Sequence, residues 1–363
     1  MKIAIIGVGI IGSLLMLKLE EEGIETIGVS LKSRTPWIGL IQSLLMKFPE
    51  DIEMAYRSRR LYEKLSRELN QELLRNYSSI TIVPNTKLNI IKNLMKTWSN
   101  YGIDVKLLNE NPTSLIIRDH EHLVYSRNSD ALVRIDKIVN YVWKHFKIIK
   151  KKASLTFHNG KVCVKVNNDT LNTDYVVLCA GAGNRKLLKQ LGLELPLITY
   201  KCQSCILYGK RLITDHIIYD YSLKFYTRPL WYRLPYIVIA GNGNTPPLDP
   251  DENDLKIEDW FIKEIKEKIS KRFRKIHYIY GRAGFCETTP DSKPLMGRVI
   301  HNLYIIGGFN GYGVEIGPGL IDEFTKILLG KSISSYGEKY LISRFSNRNV
   351  LTSKLPESEA HEL

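Results

Sequence analysis

No stretch of the sequence approaches the run of about 20 consecutive apolar residues that a membrane-crossing helix needs. The longest candidate, Ile3 to Leu17, is interrupted by Gly7, Gly9 and Gly12 and runs into Lys18, Glu20, Glu21 and Glu22. The same segment has Lys2 as a basic start but no small-residue cleavage site, so it reads against a signal peptide and for a cytoplasmic protein. Cysteine is scarce. Five in 363 residues, an odd number in no repeated framework, exclude a disulfide-stapled scaffold and fit a reducing compartment. Cys202 and Cys205 form a CxxC, but LITYKCQSCILYG reads as a strand, on which residues three apart face opposite ways. Neither metal nor disulfide is therefore expected of that pair. The 8 histidines are scattered; His120 and His122 share a strand face but nothing nearby completes a zinc site. Internal repeats, low-complexity segments and a nucleophilic triad are also missing.

What is present is an average globular composition, on a chain longer than one hydrophobic core usually organises, which predicts two domains. The formal charge of +14 raises nucleic acid or an anionic surface as partners. The basic residues are spread out, however, and the two dense runs, Lys150-Lys151-Lys152 and Lys271-Arg272-Phe273-Arg274-Lys275, read as solvated ends of helices or strands. The opening, MKIAIIGVGIIGSLLMLKLEEEGIETIGVS, carries the first chemistry. Ile3 to Ile6 is a short apolar run suited to a central parallel strand. Ile11, Leu14, Leu15 and Leu19 recur at helical spacing, Gly23 closes the helix, and Thr26 to Val29 forms a second strand. In that strand, turn, helix and strand context the glycines acquire roles. Gly7 permits the tight turn, Gly9 lets backbone approach a pyrophosphate, and Gly12 lets the helix pack on the sheet. Free amides at the helix start hold the phosphates. Eighteen residues after Gly12, where an acid normally binds the adenosine ribose, stands Ser30, with Lys32 and Arg34 beyond it. In a nicotinamide enzyme that combination would suggest NADP.

Three later segments point elsewhere. Asp174 to Leu178 runs into CAGAGNRKLL, another strand meeting a glycine turn and a helix. RAGFCETTPDSKPLMGR, residues 282 to 298, is followed by NLYIIGGFNGYGVEIGPGLIDEFTKILLG, residues 302 to 330. There, Leu303 to Ile306 reads as a buried strand. Gly307, Gly308, Gly311 and Gly313 make a loop of wide backbone freedom, Pro318 starts an amphipathic helix, and Gly330 caps it.

In GVGIIG, VVLCAGAGNRKLL, AGFCETTPDSKPLMG and IIGGFNGYGVEIGP, in that order over residues 1 to about 330, the chain resembles the FAD-dependent oxidoreductases of the D-amino acid oxidase class. That class includes glycine oxidase, sarcosine oxidase and the amine and proline dehydrogenase subunits. The resemblance implies an α/β fold, α+β overall. A glutathione-reductase-like Rossmann FAD domain would be assembled from residues 1–78, 125–195 and 282–335, with an antiparallel-sheet substrate domain, 79–124 and 196–281, inserted and a tail at 336–363. It implies non-covalent FAD against Gly7, Gly9, Ile10, Ile11, Gly12 and Ser30. Gly39 and Leu40 would pass beside the flavin, Ala180 and Gly181 would close over the cofactor, and Gly308, Phe309, Asn310, Gly311, Tyr312 and Gly313 would face the pyrimidine edge of its ring. No metal is implied.

The implied chemistry removes a hydride equivalent from the carbon beside an amine nitrogen, delivers it to flavin N5, and hydrolyses the resulting imine; oxygen or an electron-acceptor protein reoxidises the flavin. The substrate would be a small amine or amino acid, and a homo- or hetero-oligomer fits the class. Three positions depart from the relatives. Counting back from Thr289-Pro290-Asp291, Cys286 occupies the place of the arginine that clamps a substrate carboxylate. Arg228, in FYTRP, and Arg282 are the remaining candidates for an anionic group, each with the alternative of a solvated or structurally paired arginine. Ser30 replaces the ribose acid, and Glu315 stands where some relatives place a lysine, so Glu315 is expected to point away from the flavin or to pair with a base. Tyr226, Trp231 and Tyr232 are candidate walls of the substrate pocket, or else half-buried sheet residues. Two alternatives remain: an FAD-holding, non-catalytic or electron-relay subunit of a heteromeric dehydrogenase, and an amine oxidase that modifies tRNA.

Overall fold

The computed structural model describes residues 1–31, 39–41, 46–111, 115–209, 216–231, 236–243, 247–248, 255–273 and 275–346. Lys32, Arg34, Tyr232, Arg274 and the tail from 347 onward lie outside the described residues.

The opening folds as its pattern demands. Strand β1 (Lys2–Ile6) enters helix α1 (Ile10–Glu21), and after Gly23, at φ +71°, the chain returns as β2 (Glu25–Val29). There follow β3 (Gly39–Ile41), α2 (Pro49–Glu68), β4 (Leu74–Pro84), α3 (Leu88–Asn100), β5 (Val105–Leu108) and β6 (Glu121–Val133). Next come α4 (Ile135–His145), β7 (Ile148–Ile149), β8 (Ala153–His158), β9 (Lys161–Val166), β10 (Asp169–Thr170), β11 (Tyr175–Leu178) and α5 (Asn184–Lys189). The strands β12 (Ile198–Tyr208), β13 (His216–Asp220), β14 (Phe225–Pro229) and β15 (Ile237–Gly241) precede α6 (Asp259–Ser270) and β16 (His277–Thr288). The described chain closes with β17 (Leu295–Ile300), β18 (Leu303–Gly307), α7 (Gly317–Leu328) and α8 (Ser335–Glu338).

Two large sheets result. The first, in the order β17-β18-β11-β1-β2-β7, is parallel from β18 to β7 and brings together segments from both ends of the chain. Ile3, Ala4 and Ile5 at its centre are fully buried, as a strand covered on both faces must be. The second follows β16-β12-β15-β14-β13-β4-β6-β3, with β5 also on β6, and is antiparallel except where β13 meets β4. A three-stranded antiparallel sheet, β10-β9-β8, completes the set. The sequence boundaries at 78/79, 124/125 and 281/282 fall within β4, β6 and β16, all strands of the second sheet.

One reading of the basic runs is corrected. Lys150 to Lys152 are exposed as expected, but Arg272 is completely buried. Its Nη1 and Nη2 donate to Glu121 at 2.6 and 2.7 Å, its Nε donates to Asp220 at 2.6 Å, and Nη1 also reaches the Ile116 carbonyl. One guanidinium therefore ties the end of α6 to the start of β6 and the end of β13. A sequence window shows only a cationic run; the two carboxylates that neutralise it come from positions about 50 and 150 residues away.

Candidate active site

The first glycine turn is built by close approach. A Cβ on Gly7, whose φ is +95°, would lie 2.5 Å from the Ala180 Cα, and one on Gly12 would lie 2.0 Å from the Gly7 carbonyl oxygen. Only glycine fits either place, and the result sets the start of α1 directly against the middle glycine segment. Gly9 caps α1 with no side-chain hydrogen bond, so the first amides of the helix are left for a ligand. Ser13, in the first turn, is buried and its hydroxyl has no partner among the described residues. Ser30 follows directly after β2, and its amide donates to the Ile149 carbonyl.

The second glycine loop meets the same place. Gly308, Asn310 and Gly311 all have positive φ, which folds the loop back on itself. A Cβ on Gly317 would lie 2.2 Å from Ile11 Cδ1, and one on Gly39 2.4 Å from Val314 Cγ1, so β3 and α1 both pack on the segment that follows the loop. Glu287 is the junction. Its Oε2 accepts from the Gly308 amide at 2.9 Å and from Asn184 Nδ2 at 3.1 Å, while its backbone carbonyl accepts from the Asn310 amide at 2.8 Å. Asn184 Oδ1 in turn accepts from the Ala180 amide at 2.9 Å. Burial pushes the Glu287 carboxyl up to about 8, opposed by those two side-chain hydrogen bonds.

The strand pairs of the second sheet define which side chains share its inner face, because directly paired residues point the same way. Tyr226 pairs with Gly241 and Arg228 with Ile239 across β14 and β15; Ile239 pairs with Ile206 on β12. Tyr200, Cys202 and Ser204 continue that face along β12, opposite Cys286, Gly284 and Arg282 on β16. The Tyr200 hydroxyl donates to Asn310 Oδ1 at 3.0 Å, so this face looks toward the glycine loop. Gly241 makes room for a ring: a Cβ there would lie 2.8 Å from the Tyr226 hydroxyl oxygen. Arg228 Nη1 is out of reach of solvent, and burial lowers the Arg228 pKa from its ordinary value, opposed by the nearby Tyr226 and Tyr219 phenols. Tyr219, across from Tyr226 on β13, donates to Asp130 Oδ2 at 2.9 Å, and Ser129 Oγ donates to Asp130 Oδ1 at 2.9 Å. Burial raises the Tyr219 phenol well above its usual range, and the Asp130 and Glu315 carboxylates add to the effect.

Two candidates stand away from this cluster. Arg282 is on the same face but exposed on the edge strand, three strands from Tyr226, with its guanidinium 5.9 Å from the Tyr280 ring centre. Trp231 is buried, with Arg75 4.5 Å and Arg134 5.6 Å from its ring centre. Glu315 is buried near the phenols of Tyr62 and Tyr219, both of which it raises.

The reading of the CxxC pair holds, but one of its thiols has another partner. Cys202 and Cys205 do diverge, the latter buried as a free thiol behind the sheet, but Cys202 is disulfide-bonded to Cys286 across the inner face. The CxxC spacing drew attention to the wrong pair. Cross-strand neighbours on β12 and β16 are 84 residues apart in the chain and cannot be matched by local spacing.

Sequence reasoning also missed Asp130, Tyr219 and Glu287. Glu287 adjoins Cys286 at the start of the ETTPD stretch and could have been singled out as the one acid of the otherwise uncharged run Ala283 to Pro290. Asp130 lies in SRNSDALV, where nothing distinguishes it from the polar residues around it.

The residues present fit FAD: the uncapped glycine turn at the start of α1 and the glycine loop after β18 come from distant parts of the chain, and the segment following that loop packs on α1. The model of the DAO family, FAD dependent oxidoreductase, matches residues 2–326, and the chain belongs to that family. Its cofactor is accordingly FAD. Among curated proteins, it is 27% identical over 195 residues to the uncharacterized oxidoreductase YurR of Bacillus subtilis (strain 168), a match spanning 51% of this chain and about half (50%) of that protein. In three dimensions it is similar to the L-proline dehydrogenase of P. horikoshii, with a TM-score of 0.82 and 19% identity over 95% of this chain and 97% of that one. It is also similar to glycine oxidase from Geobacillus kaustophilus, with a TM-score of 0.76 and 14% identity over 92% and 95% of the two chains. These likenesses carry the fold. Among the described residues, no helix is long and apolar enough to cross a membrane.

Proposed function

We propose that the protein oxidises the C–N bond of a small amino acid, with Arg228 holding the substrate carboxylate. The observation that carries this reading is half-buried Arg228 on the inner face of the second sheet, its Nη1 withdrawn from solvent and its guanidinium near the Tyr226 and Tyr219 phenols. FAD, when bound, would supply the acceptor for the hydride equivalent, and water would hydrolyse the resulting imine to carbonyl and amine. The chain's own part is to bind and orient. Gly7 to Gly12 would hold the pyrophosphate, and the amides of Gly308 to Gly313 would hold the ring. Arg228 and Tyr226 would bind and orient the substrate. Cys286 takes no part in clamping a carboxylate, and its sulfur, engaged with Cys202, supports a non-covalent cofactor. Trichloroacetic acid should therefore release the yellow colour into the supernatant.

The test is the absorption spectrum of the purified protein from roughly 300 to 550 nm under anaerobic addition of proline, sarcosine, glycine and D-alanine. Bleaching by one amino acid, and not by its decarboxylated amine, supports the reading. Bands that persist with every compound would favour the second reading, an FAD-holding subunit of a larger dehydrogenase. That reading draws support from the disulfide where relatives carry the carboxylate arginine.

A further inference from the structure

We propose that Glu287 is a proton-dependent clasp: as the neutral acid it ties the middle glycine segment to the second glycine loop, and FAD retention depends on that one proton. The inference rests on the family's cofactor and not on which substrate is oxidised.

Three features of the geometry carry it. First, Glu287 touches both halves of the cofactor cleft at once. Through Asn184 it reaches the Ala180 amide, and directly it holds Gly308 and Asn310, so one side chain and its carbonyl span segments about 125 residues apart. Secondly, there is no slack around it. A Cβ on Gly307 would lie 2.6 Å from Asn184 Nδ2 and 2.7 Å from Glu287 Oε2, so glycine at 307 is what lets the carboxyl and the amide meet. Thirdly, Oε1 is buried and has no hydrogen-bond partner among the described residues. A carboxylate with one oxygen left bare in the interior is strongly disfavoured, whereas the neutral acid loses far less on burial.

No compensating charge is at hand. Thr199, the residue across from Glu287 on β12, spends its hydroxyl on the Leu248 carbonyl. Asn184 is the contact from α5, and the amides of Gly308 and Asn310 are the contacts from the glycine loop. Burial and the two side-chain hydrogen bonds set its proton affinity, with no contribution from a charged side chain of any of these elements. Ionisation must therefore admit water, and the way to admit it is to part Gly308 from Asn184. Loss of the proton opens the clasp.

The experiment is a fluorescence titration of the purified protein with FAD between about pH 6 and 9.5, for wild type, Glu287→Gln and Glu287→Leu. If the bound form requires the proton, the wild-type Kd is constant below the break and then rises by up to about tenfold per pH unit above it. Glu287→Gln keeps the shape and the acceptor but cannot ionise, so its affinity should stay level across the range. Glu287→Leu should bind weakly at every pH, with its far-ultraviolet circular dichroism checking that it folds. The second measurement needs no cofactor: the infrared carbonyl band of a neutral carboxylic acid should be present at neutral pH in wild type, fade as pH rises, and be missing from Glu287→Gln. Identical pH profiles of FAD affinity for wild type and Glu287→Gln would overturn the proposal, as would a neutral-acid band unchanged by that substitution.

Discussion

Cys286, bonded to Cys202, stands where the relatives' arginine is expected, and the proposed carboxylate clamp falls to Arg228 alone. If Arg228 holds a carboxylate, Arg228→Ala removes one partner of a desolvated charge pair, a loss of about 2–4 kcal/mol, or roughly 30- to 700-fold in kcat/KM. The loss should appear mainly in KM and spare any substrate without a carboxylate, which steady-state kinetics on an amino acid and its matching amine will read. At Cys286 the prediction is a count. Thiol titration of the denatured protein should find three free thiols, Cys163, Cys179 and Cys205, rising to five after reduction. Five before reduction would mean that the Cys202 pair is open. Glu287 also bears on stability. Its folded pKa, about 8, lies above the ordinary value of 4.5, so the folded chain binds the extra proton between those limits. Its contribution is complete below about pH 4.5 and is lost as pH rises toward 8.

At the scale of elements, the glycines decide whether helices and loops can meet. Gly12 has the Gly7 carbonyl oxygen where a side chain would begin, so Gly12→Val must push α1 off β1. The expected result is loss of FAD and of its absorption bands, with a fall in Tm well beyond the change at exposed Gly102, which has open space around it. The ion cluster at Arg272 is the other joint. Arg272 pulls Glu121 down to about 2 although burial opposes it, while at Asp220 burial prevails and the pKa rises, since one guanidinium cannot fully satisfy two carboxylates. Arg272→Met should cost about 3–5 kcal/mol by leaving both acids uncompensated, seen as a lower urea midpoint with an unchanged slope. The Glu121 part of that stability is present above about pH 4.5 and fades as pH falls toward 2, opposite in sign to Glu287.

For the molecule as a whole, the parallel sheet was legible because every strand in it that adjoins a glycine turn announces itself: apolar run, glycine, amphipathic helix. β1, α1, β2, β11, β18 and α7 all fall where that grammar puts them. The second sheet was far less legible. Its strands mix polar and apolar residues, and its decisive contacts, Arg272 with Glu121, Cys202 with Cys286 and Tyr219 with Asp130, join positions 84 to 151 residues apart. A one-dimensional pattern records which residue is charged and not which charge will meet it.

The place of β1 between β2 and β11, with β11 against β18, has a consequence for synthesis. Strand β1 finds one neighbour within some twenty residues, a second only after Tyr175, and the sheet is not closed until Leu303 has been made. On a ribosome, the first nucleotide loop must wait, with part of its sheet edge unpaired, until β18 has been made, which exposes it to misassociation. Folding of this chain should therefore be slow and sensitive to how soon FAD arrives to join the two loops.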